Sequence, residues 1–248
     1  MDFTGKNVIV TGGASGIGRA VVDGVIEGGG TAVIADINLD AAKNVQKELG
    51  NEHVRIYKVD LSNTDEIRSV FSQIINDLGQ IHVLINNAGI VSARPFEEIS
   101  QEEWNRVMAV NLTGVFAGIS SVYPHMVKNG YGRIINVASV AAKIGGGLLG
   151  TSAYASSKAG VIGLTKAVAR EGVTKGVACI AVCPSMTLTP MITTLPEEKQ
   201  ERIRQAIPMK RGAQPKEIAN VILFYASDLA SFVTGEISDV DGGITMDG

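Results

Sequence analysis

The chain has 248 residues, 45% hydrophobic and 19% charged, with a formal net charge of −3. A domain of that length buries roughly three quarters of its unfolded surface, so neither metal nor disulfide is needed for stability. The charge leaves no footprint for nucleic acid, no uninterrupted run of 18 apolar residues stands ready to span a bilayer, and Met1 to Lys6 lacks a basic-then-apolar leader. The anomaly is 29 glycines, roughly 12% against a usual 7%, without a Gly-X-Y period. Such glycines belong where the backbone needs them.

Short apolar runs alternate with helical patterns. Strands are predicted at 7–11, 32–35, 54–59, 81–85, 133–137, 177–183 and 236–240, the inner ones continuously apolar, as for strands covered on both faces. Segment 65–78 puts Ile67, Val70, Phe71, Ile74 and Leu78 on one helical face and stops at Gly79. Ser100 and Glu103 form a capping-box pattern, 153–170 reads as a helix, and Pro215 stands as a first-turn proline ahead of Ile218, Val221, Ile222 and Tyr225. The alternation predicts one α/β domain over 1–248, a doubly wound sheet of seven parallel strands with helices on both faces. Cys179 and Cys183, four residues apart on one strand, stand about 13 Å apart, too far for a disulfide. They read as reduced core thiols, in keeping with a cytoplasmic protein. His53, His82 and His125 have no ligand spacing, so no metal site is expected.

The first strand runs into Thr11-Gly12-Gly13-Ala14-Ser15-Gly16-Ile17-Gly18 and then a helix. Glycines at a strand-to-helix turn let backbone amides approach a pyrophosphate at the positive helix end. Asp36 ends the second strand, 18 residues after Gly18, where a carboxylate accepts from ribose hydroxyls and repels a 2′-phosphate. No Arg or Lys lies in the glycine loop or at the two positions after Asp36, so NAD is expected over NADP.

Together with Asp60-Leu61, Asn86-Asn87-Ala88-Gly89, Asn111, Ser139, Tyr154-x-x-x-Lys158, Pro184 and Asp241-Gly242-Gly243, this pattern resembles the classical short-chain dehydrogenases/reductases along essentially the whole chain. The resemblance implies a Rossmann fold. It also implies that Asp60 holds the adenine amino group with Leu61 beside the ring, and that Asn87, Ala88 and Gly89 wall the cofactor. Pro184, the Thr187 backbone and Thr189 would lie at the nicotinamide.

Tyr154 and Lys158, four apart on a helix, face the same way. A lysine ammonium beside a tyrosine, together with the positive nicotinamide ring, favours the phenolate, so the Tyr154 pKa is expected to fall toward the working range. By resemblance Tyr154 is the general acid/base, Ser139 holds the substrate oxygen, Lys158 binds the nicotinamide ribose, and Asn111 supports Lys158 through a water.

Two departures stand out. Ser139 precedes Tyr154 by 15 residues where the family shows about 13, and Ala141, at 13, has no hydroxyl. Ser152 falls at the helix start and reads as an N-cap. The extra length lies in the glycine-rich loop 145–151, with Leu148 and Leu149, and is expected to shape substrate choice. In Pro184-Ser185-Met186-Thr187-Leu188-Thr189 the family's glycine is Ser185 and its Val or Ile is Thr187. A substrate lid is expected over about 185–210.

The expected activity is NAD-dependent interconversion of a secondary alcohol and its ketone by hydride transfer. Sugar-like, aryl or alicyclic alcohols compete with a 3-oxoacyl thioester, against which Asp36 weighs, because fatty-acid reductases of this family usually take NADPH. A catalytically inactive NAD-sensing protein is the alternative of another class, disfavoured because Asn111, Ser139, Tyr154 and Lys158 are all present. Lys128, Arg133, Arg170 and Lys175 read as scattered, solvated charges that could also meet an acidic carrier protein. Small residues Ala155, Ala159, Gly163 and Ala167 on the Tyr154 helix suit a subunit interface, and the resemblance implies a homotetramer.

Overall fold

A computed structural model of the chain describes residues 1–50, 52–147 and 150–246. Leu148 and Leu149, to which the sequence assigns a part in substrate choice, lie outside the described residues. The strands are β1 (Asn7–Thr11), β2 (Thr31–Asp36), β3 (Val54–Lys58), β4 (Val83–Asn86), β5 (Gly132–Val137), β6 (Val177–Pro184) and β7 (Ile237–Val240). They form one parallel sheet in the order β3-β2-β1-β4-β5-β6-β7. The helices are α1 (Gly16–Glu27), α2 (Leu39–Leu49), α3 (Thr64–Leu78), α4 (Gln101–Met108), α5 (Gly114–Lys128), α6 (Ala141–Ile144), α7 (Ser152–Gly172), α8 (Pro190–Thr193), α9 (Glu197–Ala206) and α10 (Pro215–Ala226).

Alternate strand residues face opposite sides, and each side has its own core. Val8, Val10 and Ile34 pack with Val21 and Val25 of α1, Val45 of α2 and Ile222 of α10. Ile9, Leu84 and Ile134 face the other way, against Phe71 of α3, Val122 of α5 and Val161 of α7. That two-sided burial is why the inner strands show no polar alternation.

The differences from the predicted elements come from tertiary contacts. The fourth apolar run enters the ladder only at Val83, because the Ile81 amide is drawn to His125 Nε2 at 3.3 Å. The N-cap position of α7 is Thr151, not Ser152, whose buried hydroxyl has no partner among the described residues. Ser100 Oγ accepts from the Glu103 amide at 3.1 Å, but the Glu103 carboxylate does not close the capping box. It accepts instead from Ser92 Oγ at 2.7 Å and pairs with Arg94 at 2.9 Å. Arg133 is not a solvated charge: it is buried in β5 and donates to the Tyr225 carbonyl at 3.0 Å.

A π-helical turn, Ala109–Thr113, fuses α4 and α5 into one continuous 28-residue run, Gln101–Lys128. Its most apolar 18-residue window has mean hydropathy 1.3, long and apolar enough on those two measures to cross a membrane. Here Ala117, Val122 and Met126 are spent on the core. The π-turn carries Asn111, fully buried.

Candidate active site

The strand order reverses between β1 and β4, and a cavity of about 950 Å³ opens there at the carboxyl ends of the strands. Of the predicted site residues, Gly12, Ser15, Gly16, Ile17, Asp36, Asp60, Leu61, Asn87, Ala88 and Gly89 line one part of it. Ser139, Tyr154, Lys158, Pro184, Thr187 and Thr189 line the other. Gly18 and Asn111 stand behind the wall.

The loop from β1 to α1 owes its shape to its glycines. Gly16 turns at φ +56, with Thr189 packed against its open side. A Cβ at Gly18 would collide with the Gly12 carbonyl, so Gly18 brings the helix against the loop rather than facing a ligand. Thr11, which the sequence reading passed over, organises the opposite wall. Its Oγ1 accepts from the Asn87 and Ala88 amides at 3.0 and 3.2 Å, while Asn87 Nδ2 donates to the Thr11 carbonyl at 3.0 Å. The Asn87 side chain therefore braces the first turn.

Asp36 Oδ2 accepts from the Ala14 amide at 3.1 Å and Oδ1 from the Asn38 amide at 2.9 Å. These bonds hold the carboxylate at the end of β2, beside the cavity, with further lone pairs open. Asp60 Oδ1 accepts from the Ser62 amide and hydroxyl at 2.8 and 2.7 Å, which holds the carboxyl below its ordinary pKa. Free amides at the start of α1, glycine clearance and a carboxylate on β2 fit a nicotinamide dinucleotide.

At the other end, Ser139 follows β5 and is fixed by its neighbours. The Ala138 and Val140 amides donate to Val182 and Pro184 carbonyls of β6, and Ser139 Oγ accepts from the Ala141 amide at 3.1 Å. Ser139 interacts with the Tyr154 phenol and opposes the rise of its pKa, and Ala141 is the buried start of α6. Lys158 Nζ donates to the Val137 carbonyl at 2.7 Å. Burial pushes the Tyr154 pKa up, with the Ser139 bond opposing, and pulls Lys158 down to about 8. In the chain by itself, then, the direction is upward, because desolvation outweighs the Ser139 interaction, while the expected fall also draws on the positive nicotinamide ring.

Asn111 serves the wall. Its Oδ1 accepts from the Ile90 amide at 2.8 Å, and its Nδ2 donates to the Ile90 carbonyl at 2.8 Å and to Ser157 Oγ at 3.1 Å. One π-turn residue thus joins the segment following Gly89 to the helix carrying Tyr154. Ser92, also unforeseen, accepts the Thr151 amide on its carbonyl at 2.9 Å and so ties the same segment to the start of α7.

Gly150 alters the reading of the glycine-rich loop. A Cβ there would run into the Tyr154 ring, so this glycine clears space for the Tyr154 side chain. Ser185, where the family has glycine, adopts no positive φ and donates its hydroxyl to the Asp241 carbonyl at 2.9 Å. Beyond it α8 and α9 cover the cavity, with Met186, Ile192 and Ile207 forming their own small core. Among the described residues no cluster of His, Cys, Asp or Glu is placed to hold a metal.

Comparison with known proteins agrees with this geometry. A family model described as enoyl-(acyl carrier protein) reductase matches residues 12–245. The 3-oxoacyl-[acyl-carrier-protein] reductase of Thermotoga maritima is 38% identical over 248 residues, covering 99% of this chain and 100% of its own. Acetoacetyl-CoA reductase of Shinella zoogloeoides is 38% identical over 238 residues, 95% of this chain and 96% of its own. The 2-dehydro-3-deoxy-L-rhamnonate dehydrogenase (NAD(+)) of a Sphingomonas species is 38% identical over 244 residues, 98% and 96% of the two chains. A crystal structure from Beutenbergia cavernae, described as an NAD(P)-dependent gluconate 5-dehydrogenase with NADP bound at low occupancy, superposes with a TM-score of 0.92 at 34% identity, covering 98% of both chains. With a seven-stranded parallel sheet, its glycine turn and the Ser139, Tyr154 and Lys158 cluster at one cavity, the chain belongs to the short-chain dehydrogenase/reductase family of oxidoreductases.

Proposed function

We propose that the protein reduces the keto group of a 3-oxoacyl thioester, with NADH as the favoured hydride donor. The observation that carries this is the placement of Ser139 and Tyr154 under an apolar lid face, Met186, Met191, Ile192, Leu195 and Ile203, which offers an acyl chain a dry wall. Relatives that reduce 3-oxoacyl-[acyl-carrier-protein] and acetoacetyl-CoA, matched along their whole length, support that substrate over the simple alcohols the sequence alone favoured. Asp36 supports NADH, since a 2′-phosphate would meet its carboxylate.

The chain's own residues supply binding and proton transfer. Ser139 donates to the keto oxygen and holds it against Tyr154. The Tyr154 hydroxyl, kept protonated by burial, gives its proton to that oxygen as the carbonyl is reduced. Bound nicotinamide supplies the hydride. Lys158 spends one of its three donors on Val137 and keeps the others for the phenolate and for a ribose hydroxyl. Asn111 keeps the wall and the catalytic helix in register through its direct bonds to Ile90 and Ser157.

A second reading is NAD-dependent oxidation of a hydroxy acid, favoured by Asp36 together with the rhamnonate-type relative whose activity is NAD-linked. Steady-state rates with NADH and NADPH on acetoacetyl-CoA, set against NAD-linked oxidation of aldonic acids, separate the two. A clear excess of kcat/KM for acetoacetyl-CoA with NADH supports the thioester reading, and turnover of the acids alone overturns it. A cytoplasmic homotetramer is part of the same proposal. Phe116, half exposed on α5, supports an interface there, and a monomer by light scattering would contradict it.

A further inference from the structure

Among the described residues, five charged ones line the cavity: Asp36, Asp60, Arg106, Lys158 and Lys199. Four are accounted for. Asp36 and Asp60 belong to the adenosine end, Arg106 acts electrostatically on Asp60, and Lys158 is bonded to Val137 beside Tyr154. Lys199 is different. It lies on α9 in the same stripe as Ile203 and Ala206, at i, i+4 and i+7, and that stripe faces the cavity from the lid. Its other neighbours in the lining, Met191, Ile192 and Leu195, are apolar.

Most nearby cations are paired, and Arg202 of the same helix is exposed and lies outside the cavity lining. Arg204 of the same helix bonds Glu197 at 3.3 Å and also Glu201, Lys210 donates to the Gln205 carbonyl at 2.7 Å, and Arg211 forks onto Glu217. Lys199 is half-buried and, among the described residues, its ammonium has neither ion pair nor hydrogen bond. A half-buried ammonium at the wall of an apolar chamber, without an internal partner, is available to an anion that enters with the ligand. The dinucleotide pyrophosphate is already provided for at the amides of α1, beside Gly16.

We propose that Lys199 is the counter-charge for an anionic group, a phosphate or a carboxylate, that the substrate carries away from its reacting carbon. The inference rests on the reading of this cavity as a reductase site and adds a requirement to it: the substrate is an organic anion. A phosphorylated pantetheine arm and an aldonic carboxylate are the two sources of that charge.

Calorimetric titration of the NADH-saturated protein with matched probes tests it: 4′-phosphopantetheine against pantetheine, and gluconate against glucose. The wild type should bind the charged member of one pair at least tenfold more tightly than its neutral match, roughly what one charge-assisted hydrogen bond supplies. Lys199→Gln should abolish that preference, Lys199→Arg should retain most of it, and NADH affinity should hold in both. The pair that shows the preference identifies the source. The inference is overturned by equal binding within both pairs, by a preference that survives Lys199→Gln, or by weakened NADH binding in that variant, which would assign Lys199 to the cofactor. A Lys199-dependent preference with no reduction of acetoacetyl-CoA would leave the inference standing and overturn the thioester reading alone.

Discussion

Lys158 Nζ donates to the Val137 carbonyl at 2.7 Å and lies 5.9 Å from the centroid of the Tyr154 ring. The backbone end of β5 thus fixes the ammonium beside the phenol before any ligand arrives. Lys158 is buried and Tyr154 half-buried at the cavity wall, and desolvation decides their titration: Tyr154 goes up, and Lys158 comes down from 10.5 to about 8.

A stability signature follows from the lysine. Between pH 8 and 10.5 the folded protein binds fewer protons at Lys158 than the unfolded chain does. This group alone therefore makes stability rise with pH across that window, and its cost is full below pH 8. Cys183, whose thiol burial pushes from 9.0 up to about 11, acts in the opposite sense from about pH 9, and Tyr154, raised by burial from 10.0, does so from about pH 10. Both are shared by wild type and variant and cancel in their difference. The urea midpoint of the wild type minus that of Lys158→Met should grow between about pH 7.5 and 9.5. A flat difference would contradict the desolvated lysine.

Gly150→Ala tests the packing of the reacting ring. Gly150 has no positive φ, so alanine suits the backbone, but its Cβ would strike the Tyr154 ring. Displacing that ring by about 1 Å should lower kcat by about 10²-fold. NADH affinity should stay within about twofold, because the glycine turn and Asp36 are untouched. Steady-state kinetics with fluorescence titration of NADH check both, and an unchanged kcat would show that the ring has room to spare.

Much of this was legible beforehand, and the particulars show why. The glycine turn, Asp36, Ser139, Tyr154 and Lys158 are short-range patterns, and chain order alone places them at the strand ends. What escaped depends on partners distant in sequence. Glu103 follows Ser100 at capping-box spacing, yet its carboxylate goes to Ser92 and Arg94. Arg133 reads as surface charge until β5 is seen with α10 across it, whose Tyr225 carbonyl takes the guanidinium. Thr11 was visible only as the residue ahead of the glycines, and its bonds to Asn87 and Ala88 needed β4 alongside β1. The π-turn around Asn111 has no pattern of its own in the sequence.

Lys210 offers a stabilising substitution. It stands at φ 56, and among the described residues it alone, glycine aside, has a positive φ. The left-handed conformation costs a side-chain-bearing residue about 1–2 kcal/mol, part of which glycine returns as chain entropy. Lys210→Gly also gives up the bond to the Gln205 carbonyl, which is exposed. The expected net gain is about 0.5 kcal/mol, a rise of about 1–2 °C in Tm by thermal denaturation. A fall in Tm would show that the lysine bond outweighs the backbone strain.

Asp36→Asn probes cofactor choice with little change of shape. An amide oxygen retains one acceptor for the Ala14 or Asn38 amide but removes the charge that opposes a 2′-phosphate. The wild type should prefer NADH over NADPH in kcat/KM, and the variant should narrow that ratio by about tenfold or more. Equal use of both cofactors by the wild type would contradict the role given to Asp36.

The central claim is that Tyr154 delivers the proton at a site whose binding surfaces stand independently of it. Its most direct test is Tyr154→Phe, with acetoacetyl-CoA turnover and NADH affinity measured on the same preparation. The account predicts loss of turnover by about 10³-fold or more, with the NADH Kd within about twofold of wild type. Turnover within about tenfold of wild type would contradict it.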